Sequence, residues 1–555
     1  MKTKKILFPL FAAGLLLTTG CTDNFDEYNT DPYAVKPEYM EADLAYMGGS
    51  ITQMEKSIYF NANNWDWDFQ IAQNLCADIF SGFMAPPTPF NGGKHNGNYF
   101  LMKGWTSYSF GMYNGGIMAP WKKVKENTLD KKEFTEVYGV ALILKVMGMQ
   151  RSTDCYGPIP YSKYGEGGVS VAYDSQKDIY KQFFTELDEA QKLISDFLQS
   201  DRKTAKLLKK WDLIYTSDYE AWMKLANSLR LRLAIRISKV DPAWAKTEGE
   251  KALSNAYGVI ETKAQSMILP TATMKNPLNI LAYAYNDIRM SADMQSILIG
   301  LKDPRIAVYF SKATDSNPEI NGQYIGIRQG IDYPSKAQRE NFSNLGEAWV
   351  MDKRNVTPIV LMSDAETYFL RAEALLRGWQ PKNASDKVEE LYKKGIEASC
   401  SYWNVSGGEY INGTTQPTAY TDPSDKKEDG THNTRFDAQP ASTVTVKWDE
   451  NATQEQKLEK IITQKWIALF PEGQEAWSEF RRTGYPRLFP MVVNLSAGEI
   501  DSNIMIRRLP FNQDEYKNNK EEVEKALQLL GGPDTGGTKL WWDTNAGAAD
   551  GKPNF

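Results

Sequence analysis

The segment "SDAETYFLRAEALLRG", residues 363–378, decides the fold. Ser363 followed three positions later by Glu366 has the pattern of a capping box, in which hydroxyl and carboxylate each satisfy an amide that the first helical turn leaves free. Ala365, Phe369, Ala372 and Leu376 recur at spacings of 3 and 4, one apolar stripe along a helix. Gly378 ends it, because a helix closes most easily on a residue that accepts a left-handed backbone. Pro381 then turns the chain, and a second helix is predicted at about 385–399. Two helices joined this closely pack as an antiparallel pair.

The pattern extends in both directions. In 221–237 the residues Trp222, Leu225, Ala226, Leu229, Leu233 and Ile237 share one face, with Arg230, Arg232 and Arg236 largely off it. Further helices are predicted at about 38–59, 66–82, 107–126, 132–151, 175–198, 242–256, 453–469 and 515–530. Several form pairs across short turns. The chain therefore reads as all-α, mainly helical, built of degenerate tetratricopeptide-like helix pairs without a clean 34-residue repeat. Long irregular stretches separate the pairs at 83–106, 154–174, 257–290, 311–360 and 401–452. They are rich in Gly, Asn, Pro, Tyr and Thr, and loops of this length in a compact body are where function concentrates. The segment "TDPSDKKEDGTHNTR", 421–435, is polar enough to be a surface excursion. No Ser/Gly-rich linker divides the chain, so 38–555 reads as a single helical body.

Its beginning is different. Lys2, Lys4 and Lys5 precede an apolar run from Ile6 to Leu17 and three small residues, Thr18, Thr19 and Gly20. This is the layout of a secretory signal peptide, 1–20. The run is short of the roughly 20 residues that span a bilayer. Leu17-Thr18-Thr19-Gly20-Cys21 resembles the bacterial lipoprotein box, loosely at its first position, which implies lipid attachment at Cys21. Residues 21–37 then form a lipidated flexible tether. Asp23, Asp26 and Glu27 resemble a signal for export to the cell surface. Loss of 1–20 removes three lysines and moves the formal charge from −6 to −9. With no basic patch, nucleic acid is an unsuitable partner. Cys76, Cys155 and Cys400 are widely spaced and odd in number, so no disulfide framework is expected.

Catalytic chemistry has no foothold. The two histidines, His95 and His432, lie in polar loops without a nucleophile motif, and no HExxH, paired CxxC or P-loop occurs. Asp66 and Asp68, two apart on a predicted helix, do not face each other across a substrate. Residues 422–430 have the wrong spacing for an EF-hand. No catalytic residue, cofactor or metal site is assigned.

The aromatics are the anomaly. Phe, Trp and Tyr make up 12% of the chain, and many stand among amides and carboxylates. The stretches are "NANNWDWDF" at 61–69, "FNGGKHNGNYFLMKGWTSYSFGMYNGG" at 90–116 and "YAYND" at 283–287. A flat ring packs against the C–H face of a sugar, and Asn, Asp or Lys hydrogen-bonds its hydroxyl rim. A peptide can use the same groups. Trp222 and Trp466, on helix stripes, belong to packing. Ligand contact is expected instead from Trp65, Trp67, Asp68, His95, Asn98, Trp105, Tyr108, Tyr113, Tyr285 and Asp287.

Several motifs then carry a family resemblance: "NTDPYAV" after the tether, "AQNLCADIFSGFM" at 72–84, "DPRIAVYF" at 303–310 and "RAEALLRGW" at 371–379. "TQKWIALFPEGQEAWSEFRRTGYPRL" at 463–488 and "GGPDTGGTKLWWD" at 531–543 complete the set. The chain resembles the SusD/RagB family of outer-membrane nutrient-binding lipoproteins, most of all a SusD-like subgroup with the Arg-Arg-Thr-Gly-Tyr-Pro signature. That resemblance implies an α-helical body with four degenerate tetratricopeptide units and no enzymatic activity. It implies a place in the outer membrane facing the exterior, as the lid of a SusC-like TonB-dependent transporter. The ligand it implies is an oligosaccharide or, alternatively, a peptide. Arg481 and Arg482 read as structural, pairing with carboxylates or carbonyls around a turn shaped by Gly484 and Pro486.

Overall fold

The computed structural model describes residues 44–60, 65–129, 131–167, 170–272, 274–380, 385–544 and 553–555. Met47–Phe555 form one unit, and Met1–Tyr46 form a second of which only Leu44 to Tyr46 are described. Cys21, the signal segment and the tether lie outside the described residues.

The stripe at 363–378 forms helix α10, Asp364–Leu376, and the Ser363 hydroxyl accepts from the Glu366 amide as predicted. The reciprocal half of the box is replaced. The Glu366 carboxylate turns inward and takes two hydrogen bonds from Arg232, at 2.8 and 2.7 Å. The partner helix, α11, spans Val388–Tyr402 and packs against α10. Gly395 makes the approach close, since a Cβ there would lie 2.7 Å from the Phe369 ring.

The other helices in chain order are α1 (Ala45–Ser57), α2 (Asp66–Phe69), α3 (Lys103–Tyr113), α4 (Ala119–Thr128), α5 (Thr135–Tyr156) and α6 (Gln176–Leu198). They continue with α7 (Tyr219–Arg236), α8 (Pro242–Leu253), α9 (Ala292–Gly300), α12 (Gln454–Leu469), α13 (Gly473–Thr483) and α14 (Lys520–Leu530). The dominant pairs are α5 with α6, α7 with α8 and α10 with α11. In the first, a Cβ on Gly139 would lie 2.8 Å from Ile194, and Lys145 of α5 reaches Glu186 of α6 at 2.6 Å.

Two readings change. From Leu225 onward helix α7 is buried on every face, and Arg230, Arg232 and Arg236, read as largely off the apolar stripe, are all covered. Helices α9 and α13 fall where none was predicted. In α13 only Ala476, Trp477 and Phe480 are strongly apolar, and Gln474, Glu475, Ser478, Glu479, Arg481 and Arg482 look like a wet face, yet the whole helix is buried.

Those charges form one knot. Arg236 meets Glu475 at 2.5 Å, Glu479 at 2.6 Å and Asp154 at 3.4 Å. Arg482 holds both oxygens of Glu373 at 2.7 Å and reaches Glu479 at 2.7 Å. Lys465 stands 3.1 Å from Glu479. The guanidinium and ammonium groups around them hold Glu373 and Glu475 below the usual carboxylate range, and Glu479 well below it, against the cost of burial. Arg481 takes the role expected of it, donating to the carbonyls of Asp154 and Arg507 at 2.6 and 2.8 Å with its guanidinium over the Trp477 ring. Gly484 caps α13 with φ 75°. Helices α5, α7, α10, α12 and α13 thus meet at one ionic centre.

Two small sheets lie inside stretches read as irregular. Strand β1 (Met84–Ala85) pairs antiparallel with β3 (Arg289–Met290), and β2 (Met267–Leu269) with β4 (Ile359–Met362). The first sheet ties the loop after residue 85 to the turn at 283–287.

Removing one partner of the buried knot strands the other's charge, at a cost of about 3–5 kcal/mol. Arg482→Met is therefore expected to lower the urea unfolding midpoint sharply. Asp196→Asn, which breaks the solvent-exposed Lys192–Asp196 pair, should leave the midpoint within error.

Candidate ligand-binding site

Trp65 has an extended backbone, φ −93° and ψ 91°, because helix α2 begins at Asp66. Inside a helix, residues two apart point in different directions. With Trp65 outside it, the rings of Trp65 and Trp67 lie nearly parallel, 15° between planes and 6.1 Å between centroids. They are 54% and 45% exposed, the only exposed tryptophans among the described residues. Tyr108 of α3 packs its ring 5.5 Å from Trp67 and donates its hydroxyl to Asp68 Oδ1 at 2.5 Å. Asp68 is itself buried, and burial pushes its carboxyl up while the tyrosine bond opposes that. Asp68 therefore fixes the platform from below.

The rim is built from three further segments. Asp287 accepts from Gln70 Nε2 at 3.1 Å, Thr88 Oγ1 at 2.5 Å and Lys336 Nζ at 3.0 Å, binding the 283–287 turn to α2 and to the 86–95 loop. Tyr285 beside it is 39% exposed. Arg354 donates to Asp66 Oδ1 and sits between exposed Met351 and Val356. Trp105, three residues before Tyr108 on α3, is half-buried and meets the Phe90 ring edge-on at 5.5 Å.

Three of the residues expected at the surface of the site are buried instead. Tyr113 is fully buried, edge-on to Phe60, and its hydroxyl donates to Gln474 at 3.0 Å. His95 is buried and caps the short turn Asn96–Asn98, its Nδ1 accepting from the Gly97 amide at 3.1 Å. Asn98 is buried, accepting from the His95 amide and donating to the Gly93 carbonyl. Their polar groups are consumed by the fold, and Gly- and Asn-rich surroundings disguised a tight turn as a surface loop. Of the ten, Trp65, Trp67, Asp68 and Tyr108 come together directly, and Asp287 draws Tyr285 toward them. Gln70, Thr88, Lys336 and Arg354 were missed, because nothing in a single sequence links residues this far apart. His432 is partly exposed and pairs with Asp437 at 2.8 Å, away from these residues in the chain.

The backbone marks the same place. α2 runs into a π-helix at Gln70–Asp78, α3 into another at Asn114–Met118, and a third, Ile280–Ala284, ends at Tyr285. π turns are rare and concentrate at functional sites. The first and third adjoin the platform and its rim, and the second follows the buried end of the helix that carries Tyr108.

The model of a family described as "SusD-like: Susd and RagB outer membrane lipoprotein" matches residues 27–543. Comparison with curated proteins returned no match. Among solved structures, a chitin-binding SusD homolog from Flavobacterium johnsoniae is 41% identical, with TM-score 0.83 over 92% of this chain and 100% of that one. A SusD homolog from Bacteroides vulgatus is 38% identical, with TM-score 0.84 over 91% and 99%. One from Bacteroides uniformis is 33% identical, with TM-score 0.77 over 90% and 99%.

Burial pushes the His95 ring down to about 4, below its ordinary 6.5. The unfolded chain therefore binds the extra proton between these values. The contribution of His95 is complete above pH 6.5 and is lost as pH falls toward 4, at up to about 1.4 kcal/mol per pH unit. Urea midpoints measured from pH 6.5 to 4 should fall less steeply in His95→Gln than in the wild type.

Proposed function

This chain belongs to the SusD/RagB family of outer-membrane lipoproteins, and on that premise we propose that it captures an oligosaccharide on the Trp65–Trp67 face. It is a binding protein, not an enzyme. The carrying observation is the pair of near-parallel, exposed indoles with Tyr108 against them and polar side chains around. Such a pair offers a broad apolar surface to successive sugar rings, and Tyr285 and Trp105 extend it. The relative described as chitin-binding, at 41% identity over its whole length, supports N-acetylglucosamine oligomers as the first ligands to try. A sugar meets this face with little ordering cost, because Trp67 packs against Trp65 and Tyr108 and Asp68 fixes Tyr108 from below.

Capture alone moves nothing inward, so the proposal includes a neighbour that imports. No described helix is long and apolar enough to cross a membrane. We place the chain at the outer membrane through lipid on Cys21, with 21–37 as a tether, and as a lid on a SusC-like TonB-dependent transporter. A permanent assembly of this kind buries roughly 2,000 Å² or more. Gentle solubilisation followed by affinity purification is expected to recover one barrel protein in about equal amount. Recovery of this chain alone, with uptake unchanged on its deletion, would remove the lid from the proposal.

Calorimetric titration with N-acetylglucosamine hexamer tests the site. Trp67→Ala is expected to weaken binding by about 1 kcal/mol or more, roughly fivefold. The melting temperature should barely move, since the ring is exposed. A stronger response to a mixed peptide pool than to the hexamer would transfer the site to the peptide reading.

A further inference from the structure

This inference rests on the reading that a sugar lands on the Trp65–Trp67 face. Between those two residues in the chain stands Asp66, and Arg354 holds its carboxylate. Both side chains are largely covered, at 12% and 16% exposure. Among the described residues Asp66 is the one carboxylate within ion-pair distance of Arg354. The buried Nε–H of Arg354 has no acceptor, so the guanidinium is matched in charge but not saturated in hydrogen bonds. Across the rim, Asp287 is matched by Lys336. Asp66 and Asp287 are thus each paired with a cation within the protein, and Asp68 is held by the Tyr108 hydroxyl.

We propose that Asp66 is a specificity-determining residue: by pairing with Arg354 beside the two tryptophans it withholds that guanidinium from an incoming anion and restricts the site to uncharged oligosaccharides. A uronate or sulfated sugar stacked on the rings brings an anion close to Arg354, whose planar fork suits a carboxylate or sulfate. Asp66 already takes one arm of that fork and balances its charge, and the Asp66 carboxylate repels the newcomer at a place where little water screens it. A neutral sugar meets no such repulsion. The amide of an Asn at position 66 can still accept from Arg354, so Asp66→Asn removes the charge while keeping the clamp between α2 and the 351–356 turn.

The test titrates the purified chain with chitohexaose, which is neutral, and with hexagalacturonate, an anion of equal length. Wild type is expected to bind the neutral hexamer at least tenfold more tightly. Asp66→Asn should gain at least fivefold for hexagalacturonate, with chitohexaose affinity within twofold of wild type. Adding Arg354→Gln to that variant should abolish the gain. Equal affinity of wild type for both hexamers, or an unchanged preference in Asp66→Asn, would overturn the lock. Trp67→Ala is the separate arm: undiminished binding of chitohexaose there would overturn the platform itself, whatever position 66 does. Failure of wild type to bind either hexamer overturns both.

Discussion

Buried charges must balance, and five helices are arranged so that they do. Arg232, Arg236, Arg377, Lys465 and Arg482 face Asp154, Glu366, Glu373, Glu475 and Glu479, with almost no solvent among them. An isolated ion here would cost several kcal/mol, and only mutual pairing with good geometry offsets that. Hydrophobic stripes can slide past one another with little penalty. A bidentate contact such as Arg482 on Glu373 cannot. The ionic centre therefore sets the register of α5, α7, α10, α12 and α13 in a way that apolar packing alone does not.

That register reaches the ligand face by short steps. α13 begins at Gly473, where a Cβ would lie 2.4 Å from Asp78 at the end of the first π-helix. Arg151 of α5 bridges Glu472, just before α13, to Gln73 within that π-helix, at 2.9 and 2.8 Å. Trp466 of α12 donates to the Ser81 carbonyl at 2.7 Å. The segment that presents Trp65 and Trp67 is thus the outer end of an element whose inner end is locked to the core. Exposed rings on a mobile loop would lose binding energy to ordering; rings on this element are already placed.

The helical architecture was legible because its signals are local. Ser363, the 365–376 stripe and Gly378 act within a few residues of one another, and α10 forms where they say. The π segments were not, since the apolar pattern of 66–82 fits an α-helix equally well and the wider turn is imposed by tertiary contacts. Helix α13 was hidden because polar residues dominate it, and only partners from other helices, Arg236 of α7, Glu373 of α10 and Lys465 of α12, make its burial possible. At the site, ring-plus-amide composition found the exposed indoles but could not separate Trp67 from Tyr113. Both are aromatic residues with polar neighbours, and what distinguishes them is that Gln474, hundreds of residues later, takes the Tyr113 hydroxyl.

The π-helices give this fold a discrete means of aiming its binding groups. One residue added to or removed from an α-helix rotates everything beyond it by about 100° and would tear a packed core apart. A π turn is a place where one extra residue is already absorbed. Such turns follow the helices carrying Trp67 and Tyr108 and precede Tyr285, and the first of them is tied directly to the core. Insertions or deletions confined to them re-index the side chains on the outer end while the ionic centre keeps its registration. The scaffold can thus present new outer faces by single-residue steps, with the barrier to each change falling on the rim and not on the fold.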